Sequence, residues 1–103
     1  KSFEHGDINL DTFLLWTNML QVIGENEEAI EILLQATEVF PDEYEIEYRL
    51  AGLYYLMGQT RKGNFHLNNG LRMNFKNHTL IQELFPSIWN KKSVQNIIKK
   101  YSE

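Results

Sequence analysis

The sequence predicts an all-α protein, built as an α-solenoid of antiparallel helix hairpins. Apolar residues recur at spacings of three and four from about residue 10 to residue 101, which is the period of a helix face. Only 2 prolines and 6 glycines interrupt the 103 residues. The helical pattern also repeats after about 34 residues, a period typical of stacked helix pairs. No segment shows the alternation of apolar and polar residues that predicts a strand.

The first predicted hairpin consists of two apolar stripes with a glycine between them. The first stripe ends before Gly24, a residue suited to the left-handed position that follows a helix. Asn26 is the expected N-cap of the second helix, and Pro41 stops that helix. The stripes are formed by Phe13, Trp16, Leu20 and Ile23 in the first helix and by Ala29, Ile30, Leu33, Ala36 and Val39 in the second.

The second predicted hairpin follows the same plan. Asp42 and Glu45 have the spacing of a capping box at the start of the third helix, and Gly58 follows its end. Thr60 is the expected N-cap of the fourth helix. The stripes are formed by Ile46, Leu50, Leu53, Tyr54 and Met57 in the third helix and by Phe65, Leu67, Leu71 and Met73 in the fourth.

The last quarter of the chain predicts two further helices, which makes six in all. A short fifth helix runs from about Thr79 to Phe85, where Pro86 ends or kinks it. The sixth helix has an apolar stripe opposite a polar, lysine-rich face, as expected for an element that closes an array. The stripe is Val94, Ile97, Ile98 and Tyr101, and the polar face is Lys91, Lys92, Gln95, Lys99 and Lys100.

The two hairpins are related by the shift along the sequence that places Gly24 on Gly58, which we call the repeat shift. Four further pairs that it superposes are Leu20 and Tyr54, Ala29 and Gly63, Leu33 and Leu67, and Ala36 and Gly70. Small residues, as at Ala29 and Gly63 or Ala36 and Gly70, are expected where two helices cross closely, because larger side chains would force the helices apart.

These motifs resemble the tetratricopeptide repeat family. The first unit reads Phe13-x2-Trp16-Thr17-x2-Leu20, then Ala29-x3-Leu33, Ala36 and Pro41, and the second reads Glu47-x2-Leu50-Ala51-x2-Tyr54, then Gly63-x3-Leu67, Gly70 and Phe75. The resemblance implies repeats over residues 10–43 and 44–77, followed by a degenerate third unit or C-terminal cap over 78–103. Residues 1–9 are then expected to be the tail of a preceding repeat in a longer array.

The resemblance also implies a buried framework. We expect Trp16, Leu20, Ala29, Leu33, Ala36, Leu50, Tyr54 and Leu67 to be buried. Glu47 stands where the family has a large apolar residue, so this corner of the second unit is expected to be exposed. Phe75 replaces the family's proline, so the fourth helix is expected to run on or to turn differently.

The net charge of −4 is unevenly distributed along the chain. Residues 1–48 contain twelve acidic residues and one lysine, which gives −11. Residues 49–103 contain nine basic and two acidic residues, which gives +7. Two interpretations stay open: attraction between neighbouring packed helices, or a charged partner surface at one end.

Composition and motifs argue against an enzyme. The chain has no cysteine, which excludes thiolate metal sites and a cysteine nucleophile. His5, His66 and His78 have no metal ligands at suitable spacing and are interpreted as surface residues. No serine lies in a Gly-x-Ser-x-Gly motif, and no glycine-rich phosphate loop follows a strand. We therefore expect no catalytic site, no cofactor and no metal ion.

Nucleic acid and membranes are not expected as partners. The lysines of the last helix are suited to phosphate, but the acidic first half would repel it. No apolar run reaches the roughly 18–20 residues of a transmembrane helix, and the sequence shows no targeting signal. These features favour a soluble, cytoplasmic protein.

The remaining function class is protein binding, as a scaffold or adaptor that holds a peptide or protein in its concave groove. The resemblance implies the groove residues Leu14, Asn18, Gln21, Val22, Tyr48, Arg49 and Tyr55, with both tyrosines at least partly exposed.

Three alternatives to this groove stay open. The same residues are also consistent with solvated groove walls that have no natural ligand. The chain is also compatible with an accessory domain that positions a larger enzyme or a component of a transport or secretion machine. The third alternative is weak, salt-sensitive self-association, in which the acidic early face of one molecule meets the basic last helix of another. An exposed apolar edge is then expected near Phe13 and Ile30.

Overall fold

A computed structural model of the chain describes residues 9–102. Within that range the chain forms seven α-helices and one short 3-10 helix and no strand, which confirms the all-α class. The prediction of six helices is wrong by one. Of the tail predicted over residues 1–9, only Asn9 lies within the described residues, and His5 lies outside them. The chain divides into two compact units, with the boundary between Pro41 and Asp42.

Unit 1 consists of α1 (Leu10–Val22) and α2 (Asn26–Val39). The Asn9 side chain caps α1, because its Oδ1 accepts a hydrogen bond from the backbone N–H of Thr12 at 2.9 Å. The Thr12 hydroxyl donates to the same oxygen at 3.0 Å. The first helix therefore starts where the apolar spacing starts, with a side-chain cap.

Unit 2 contains the remaining elements. These are α3 (Tyr44–Leu56), α4 (Thr60–Met73), a 3-10 helix (Phe75–Asn77), α5 (Leu80–Leu84), α6 (Pro86–Trp89) and α7 (Lys92–Ser102). The additional helix arises at Pro86, which occupies the first position of α6 instead of only ending α5. This position suits proline because its missing N–H would have no partner inside the helix.

Two glycines end the first helix of each hairpin in the same way. Gly24 has a φ of +87° and Gly58 a φ of +81°, both in the left-handed region. Across each glycine, the next residue's N–H donates to a carbonyl of the preceding helix, at 2.8 Å and 2.9 Å respectively. The predicted glycine-terminated helix ends are therefore confirmed.

The predicted N-caps of α2, α3 and α4 are wrong. Asn26 and Thr60 are the first helical residues, and the cap positions are Glu25 and Gln59, neither of which makes a side-chain cap bond. The capping box at the start of α3 does not form, because its cap position is Glu43. After Gly24 and Gly58 the chain enters the next helix within two residues, so the cap falls one residue earlier than predicted.

In unit 1 the start of α1 meets the end of α2. Phe13, near the start of α1, meets Phe40, just beyond the end of α2, with ring centroids 6.1 Å apart in an edge-to-face arrangement. Phe13 and Ile30 are buried, so the apolar edge predicted there is wrong. Trp16 was predicted to be buried but is 38% exposed. It lies at the edge of the buried face of α1, which includes Thr17. The other framework residues predicted to be buried are buried: Leu20, Ala29, Leu33, Ala36, Leu50, Tyr54 and Leu67.

The fourth helix does not run on past Phe75, because a 3-10 helix (Phe75–Asn77) follows it. Helix α4 ends at Met73, and the side chain of Asn74 then accepts a hydrogen bond from the Asn77 N–H at 3.2 Å. In α7, Val94 and Ile98 are buried. The lysines predicted on its polar side are exposed. Among the described residues, no helix has both the length and the apolar character needed to cross a membrane.

Candidate functional site

The residues predicted to line one peptide groove differ widely in exposure. Val22 is exposed, Asn18 and Gln21 are half-buried, and Leu14, Tyr48, Arg49 and Tyr55 are buried. Burial lowers the pKa of the Arg49 guanidinium, and the carboxylate of Glu45 acts in the opposite direction. The predicted set therefore does not form one exposed surface.

The exposure predicted for Tyr48 and Tyr55 is wrong, because both rings pack onto glycines of α4. A Cβ atom at Gly70 would lie 2.8 Å from the Tyr48 ring, and one at Gly63 would lie 2.7 Å from the Tyr55 ring. The later tyrosine of α3 thus meets the earlier glycine of α4, and the earlier tyrosine meets the later glycine. The missing side chains of the glycines leave the space that the rings fill.

The phenol groups of these tyrosines are bonded within unit 2. The Tyr48 hydroxyl donates to the backbone carbonyl of Asn74 at 2.6 Å, and the Tyr55 hydroxyl donates to Oδ1 of Asn64 at 2.5 Å. Burial raises the pKa of Tyr55 to about 12. Burial also raises the pKa of Tyr48, with a smaller contribution from Tyr44. Both tyrosines join α3 to α4 and its following turn.

A polar pair, formed by the buried Glu47 and the half-buried His66, occupies the corner of unit 2 that was expected to be exposed. Glu47 is buried, and its Oε1 lies 2.7 Å from Nδ1 of His66. The same oxygen accepts a hydrogen bond from Asn69 at 3.3 Å. The His66 ring is stacked on Tyr54, with centroids 5.4 Å apart. The prediction of an exposed Glu47 is therefore wrong, and His66, predicted at the surface, is half-buried.

The sequence contains a signal for this pair. The repeat shift places Glu47 on Phe13 and His66 on Ile32, and both residues of unit 1 are buried. Two positions that are apolar in unit 1 are therefore both polar in unit 2. A buried carboxylate needs such a polar partner. The interaction between Glu47 and His66 links α3 to α4. Among residues 9–102, no three histidine, aspartate or glutamate side chains are grouped to hold a metal ion.

A row of exposed apolar side chains runs along α1. Leu15, Met19, Val22 and Ile23 are 63%, 61%, 84% and 70% exposed. Spacings of four, three and one place these residues on one side of a helix. The opposite side of α1 carries buried residues that include Phe13 and Leu20. Helix α1 with its C-cap residue Ile23 is therefore apolar on two sides and covered on one. We call Leu15, Met19, Val22 and Ile23 the α1 stripe.

A hollow of about 400 Å³ opens beside the α1 stripe. It is lined by Trp16, Asn18, Met19, Leu20, Val22 and Ile23. Asn18 is the one polar residue in this set, so the hollow is suited to an apolar side chain of a ligand. Asn18 and Val22 are the two predicted groove residues that the structure brings together here.

The equivalent positions of α3 are covered. The repeat shift places Leu15, Met19, Val22 and Ile23 on Arg49, Leu53, Leu56 and Met57, in that order. The first two of these α3 residues are buried, and the last two are less exposed than their counterparts in α1. The same face of the first helix is thus covered in one hairpin and open to solvent in the other.

The sequence also contains a signal for the α1 stripe. Residues 12–24 contain no charged side chain, so α1 has no charged face to present to water. A helix that is apolar around its circumference is normally buried on all sides. Only Val22 of the stripe belongs to the groove predicted from the family resemblance.

Two further hollows lie in unit 2 and are lined mainly by polar residues. The smaller, of about 210 Å³, is lined by Tyr44, Glu45, Asn77, Thr79, Leu80 and Glu83. The larger, of about 610 Å³, is lined by Phe75, His78, Gln95, Asn96, Ile98, Lys99 and Ser102. Neither presents a continuous apolar row like the α1 stripe, which is therefore the stronger candidate for binding.

The chain matches no protein-family model, no curated protein and no solved structure.

Proposed function

We propose that the chain is a protein-binding module of the tetratricopeptide repeat type, a scaffold or adaptor with no chemistry of its own. The observation that carries the proposal is the α1 stripe, four exposed apolar side chains on a helix whose opposite side is buried. A solvated helix face in a monomeric protein is polar, whereas a contiguous apolar patch marks a site of contact.

The size of the α1 stripe is sufficient for a specific contact. The exposed fractions of its four residues correspond to roughly 500 Å² of accessible surface, at the upper end of what monomers leave exposed. Covering that area gains about 10 kcal/mol before the entropy of association is subtracted. The cost of association, about 4–15 kcal/mol, offsets most of this gain, so the expected affinity is modest.

The occupant we propose is a helix of a protein partner. From Leu15 to Ile23 the stripe is about 12 Å long at 1.5 Å per residue, slightly more than two helical turns. Its residues form a ridge of the kind that fits between the side chains of a second helix. One side chain of that helix would enter the hollow beside Trp16 and Met19.

The repeat resemblance contributes the second support. The two hairpins share the repeat shift, the glycine-terminated first helix and small residues at the helix crossings. Modules built from such hairpins present faces of their first helices to partners. The buried Tyr48 and Tyr55 take no part in the proposed contact, which lies on α1.

The proposal is tested with a synthetic peptide of about 15 residues, locked as a helix, with leucines at spacings of three and four and glutamines elsewhere. The Trp89→Phe variant leaves Trp16 as the only tryptophan, so its fluorescence reports on the hollow. We expect a saturable blue shift as the peptide covers Trp16. Met19→Gln should weaken binding at least about tenfold, because it removes apolar area without adding charge.

The matched control is Phe65→Gln, made in the same background. Phe65 is an apolar side chain of α4 that is 61% exposed, as is Met19. Binding of the peptide to this variant should equal that of the parent. Equal losses in both variants, or no saturable binding to the parent, would contradict the proposed site.

A further inference from the structure

We infer that the helix bound at the α1 stripe is cationic, with lysine or arginine at both ends of its apolar face. This inference rests on the proposed function and names the chemistry of the partner. It follows from the sign and the position of the charges around the stripe.

The described part of unit 1, residues 9–41, carries charge of one sign only. Residues 9–41 contain six carboxylates and no lysine, arginine or histidine. The six are Asp11, Glu25, Glu27, Glu28, Glu31 and Glu38, and none of them is buried. A partner that approaches this unit therefore meets a negative potential, which favours a cationic surface and repels an anionic one.

Two of these carboxylates stand at the ends of the α1 stripe. Asp11 precedes Leu15 by four residues, which places it one turn earlier on the same side of α1. Glu25 follows Ile23 by two residues, just after the turn at Gly24. From Asp11 to Val22, where α1 ends, the helix rises about 16 Å, and Glu25 follows after the turn. In the sequence the stripe is thus preceded by one acid and followed by another, with no charged residue between them.

A second copy of this chain is a poor occupant. Pairing two α1 stripes would bring the acids of one unit 1 against the same acids of the other, without a compensating base. The lysines of α7 do not provide an alternative, because its apolar residues Val94 and Ile98 are already buried. A separate helix that combines an exposed apolar face with flanking cations satisfies both requirements of the site.

The inference is tested with three peptides that share the leucine face described above. They differ in the two residues about 14 positions apart that flank this face, which are lysines, glutamines or glutamates. Trp16 fluorescence of the Trp89→Phe variant is titrated at low salt and at about 0.5 M salt. We expect affinity in the order lysine, glutamine, glutamate, with the lysine peptide about 5–30-fold tighter than the glutamine peptide at low salt. At high salt the ratio should fall below about threefold.

Charge variants locate the effect. Asp11→Asn with Glu25→Gln should remove most of the preference for lysine, while the affinity for the glutamine peptide stays within about twofold. Glu83→Gln changes an acid of α5 in unit 2 and should preserve the preference.

The outcomes separate this inference from the proposed function. If the glutamine peptide binds and the lysine peptide binds no more tightly, the inference is overturned and the binding site stands. If no peptide binds, the proposed site itself fails. Sedimentation that shows a dimer of the parent chain, lost in Met19→Gln, would identify a second copy as the occupant and overturn the inference.

Discussion

The hairpins α1/α2 and α3/α4 are aligned by the repeat shift, but their first helices are buried to different extents. In α3, ten of thirteen residues are buried, and these include the equivalents of Leu15 and Met19. In α1, four residues are buried and the α1 stripe is open to solvent. The comparison shows that an apolar position in a repeat predicts that something covers it, but not which element does so.

The two hairpins also differ in how they fill the space between their helices. Where α3 and α4 pair Tyr48 with Gly70, the equivalent residues of unit 1 are Leu14 and Ala36. A large ring over a glycine and a smaller side chain with an alanine occupy similar total volume. The summed side-chain volume of the two residues is therefore conserved, although the volume at each position is not. Protein cores tolerate compensating changes of this kind.

The largest effect on stability is expected from substitutions that disrupt the Tyr48–Gly70 pair of unit 2. Tyr48→Leu should lower the free energy of unfolding by about 2–4 kcal/mol, since it removes a buried ring and the hydrogen bond to Asn74. Gly70→Ala should lower it by about 1–3 kcal/mol, because the new methyl group overlaps the Tyr48 ring. The double variant recreates the Leu–Ala pair of unit 1. Urea unfolding should show a loss at least about 1 kcal/mol smaller than the sum of the single losses. Additive losses would mean that the two hairpins do not conserve volume as proposed.

The second prediction concerns the polar pair of unit 2, which replaces Phe13 and Ile32 of unit 1. Glu47→Leu should lower the free energy of unfolding by about 1–3 kcal/mol, because His66 and Asn69 lose their acceptor. Changing Glu47 and His66 together to leucine creates an apolar pair of the kind found in unit 1. The double variant should recover to within about 1 kcal/mol of the parent, or exceed it.

The control for the polar pair is Glu31→Gln, an exposed acid of α2, which should change stability by less than about 0.5 kcal/mol. Thermal and urea unfolding would measure all three variants. A double variant as unstable as Glu47→Leu would show that the site requires polar residues for reasons other than mutual satisfaction.

The sequence predicted the features that depend on neighbours along the chain. The helical class, the turns at Gly24 and Gly58 and the buried Ala29 and Ala36 follow from spacing and from local backbone preferences. These signals act within one helix or one turn, so a single sequence contains them.

The features that the sequence failed to predict depend on distant residues. To predict that Tyr48 and Tyr55 are buried, one must know that the glycines of α4 lie opposite them. The groove faces assigned from the family resemblance do not take account of a tyrosine that packs onto a glycine. Likewise, Glu47 and His66 lie on different helices, and neither suggests burial by itself. Only comparison of the two repeats, position by position, reveals that both replace core residues.

The third prediction uses alkaline pH to distinguish the hairpins, because residues 9–41 contain no tyrosine. In the folded chain the pKa of Tyr55 is raised from 10.0 to about 12, so its neutral form is the one that the fold prefers. The stability due to this preference is complete below about pH 10 and is lost as the pH rises toward about 12. We expect Tyr55→Phe to be less stable than the parent near neutral pH, since Asn64 loses its donor.

Between about pH 10 and 12 the unfolding free energies of parent and Tyr55→Phe should converge by about 1 kcal/mol, after allowance for solvent screening. Urea unfolding at several pH values would measure the difference. Curves that stay parallel across this range would mean that the phenol is not buried as the structure shows.

The smallest expected effect concerns how the helices begin. Helix α1 has a side-chain cap from Asn9, whereas Gln59, at the start of α4, makes no such bond. Asn9→Ala should therefore lower the free energy of unfolding by about 1 kcal/mol, because the N–H of Thr12 loses its acceptor. Gln59→Ala should change it by less than about 0.5 kcal/mol. Because Asn9 precedes the α1 stripe and its replacement leaves the stripe residues unchanged, peptide affinity measured where both variants are fully folded should be the same. A loss of binding in Asn9→Ala alone would show that peptide binding at the α1 stripe depends on the N-cap of α1.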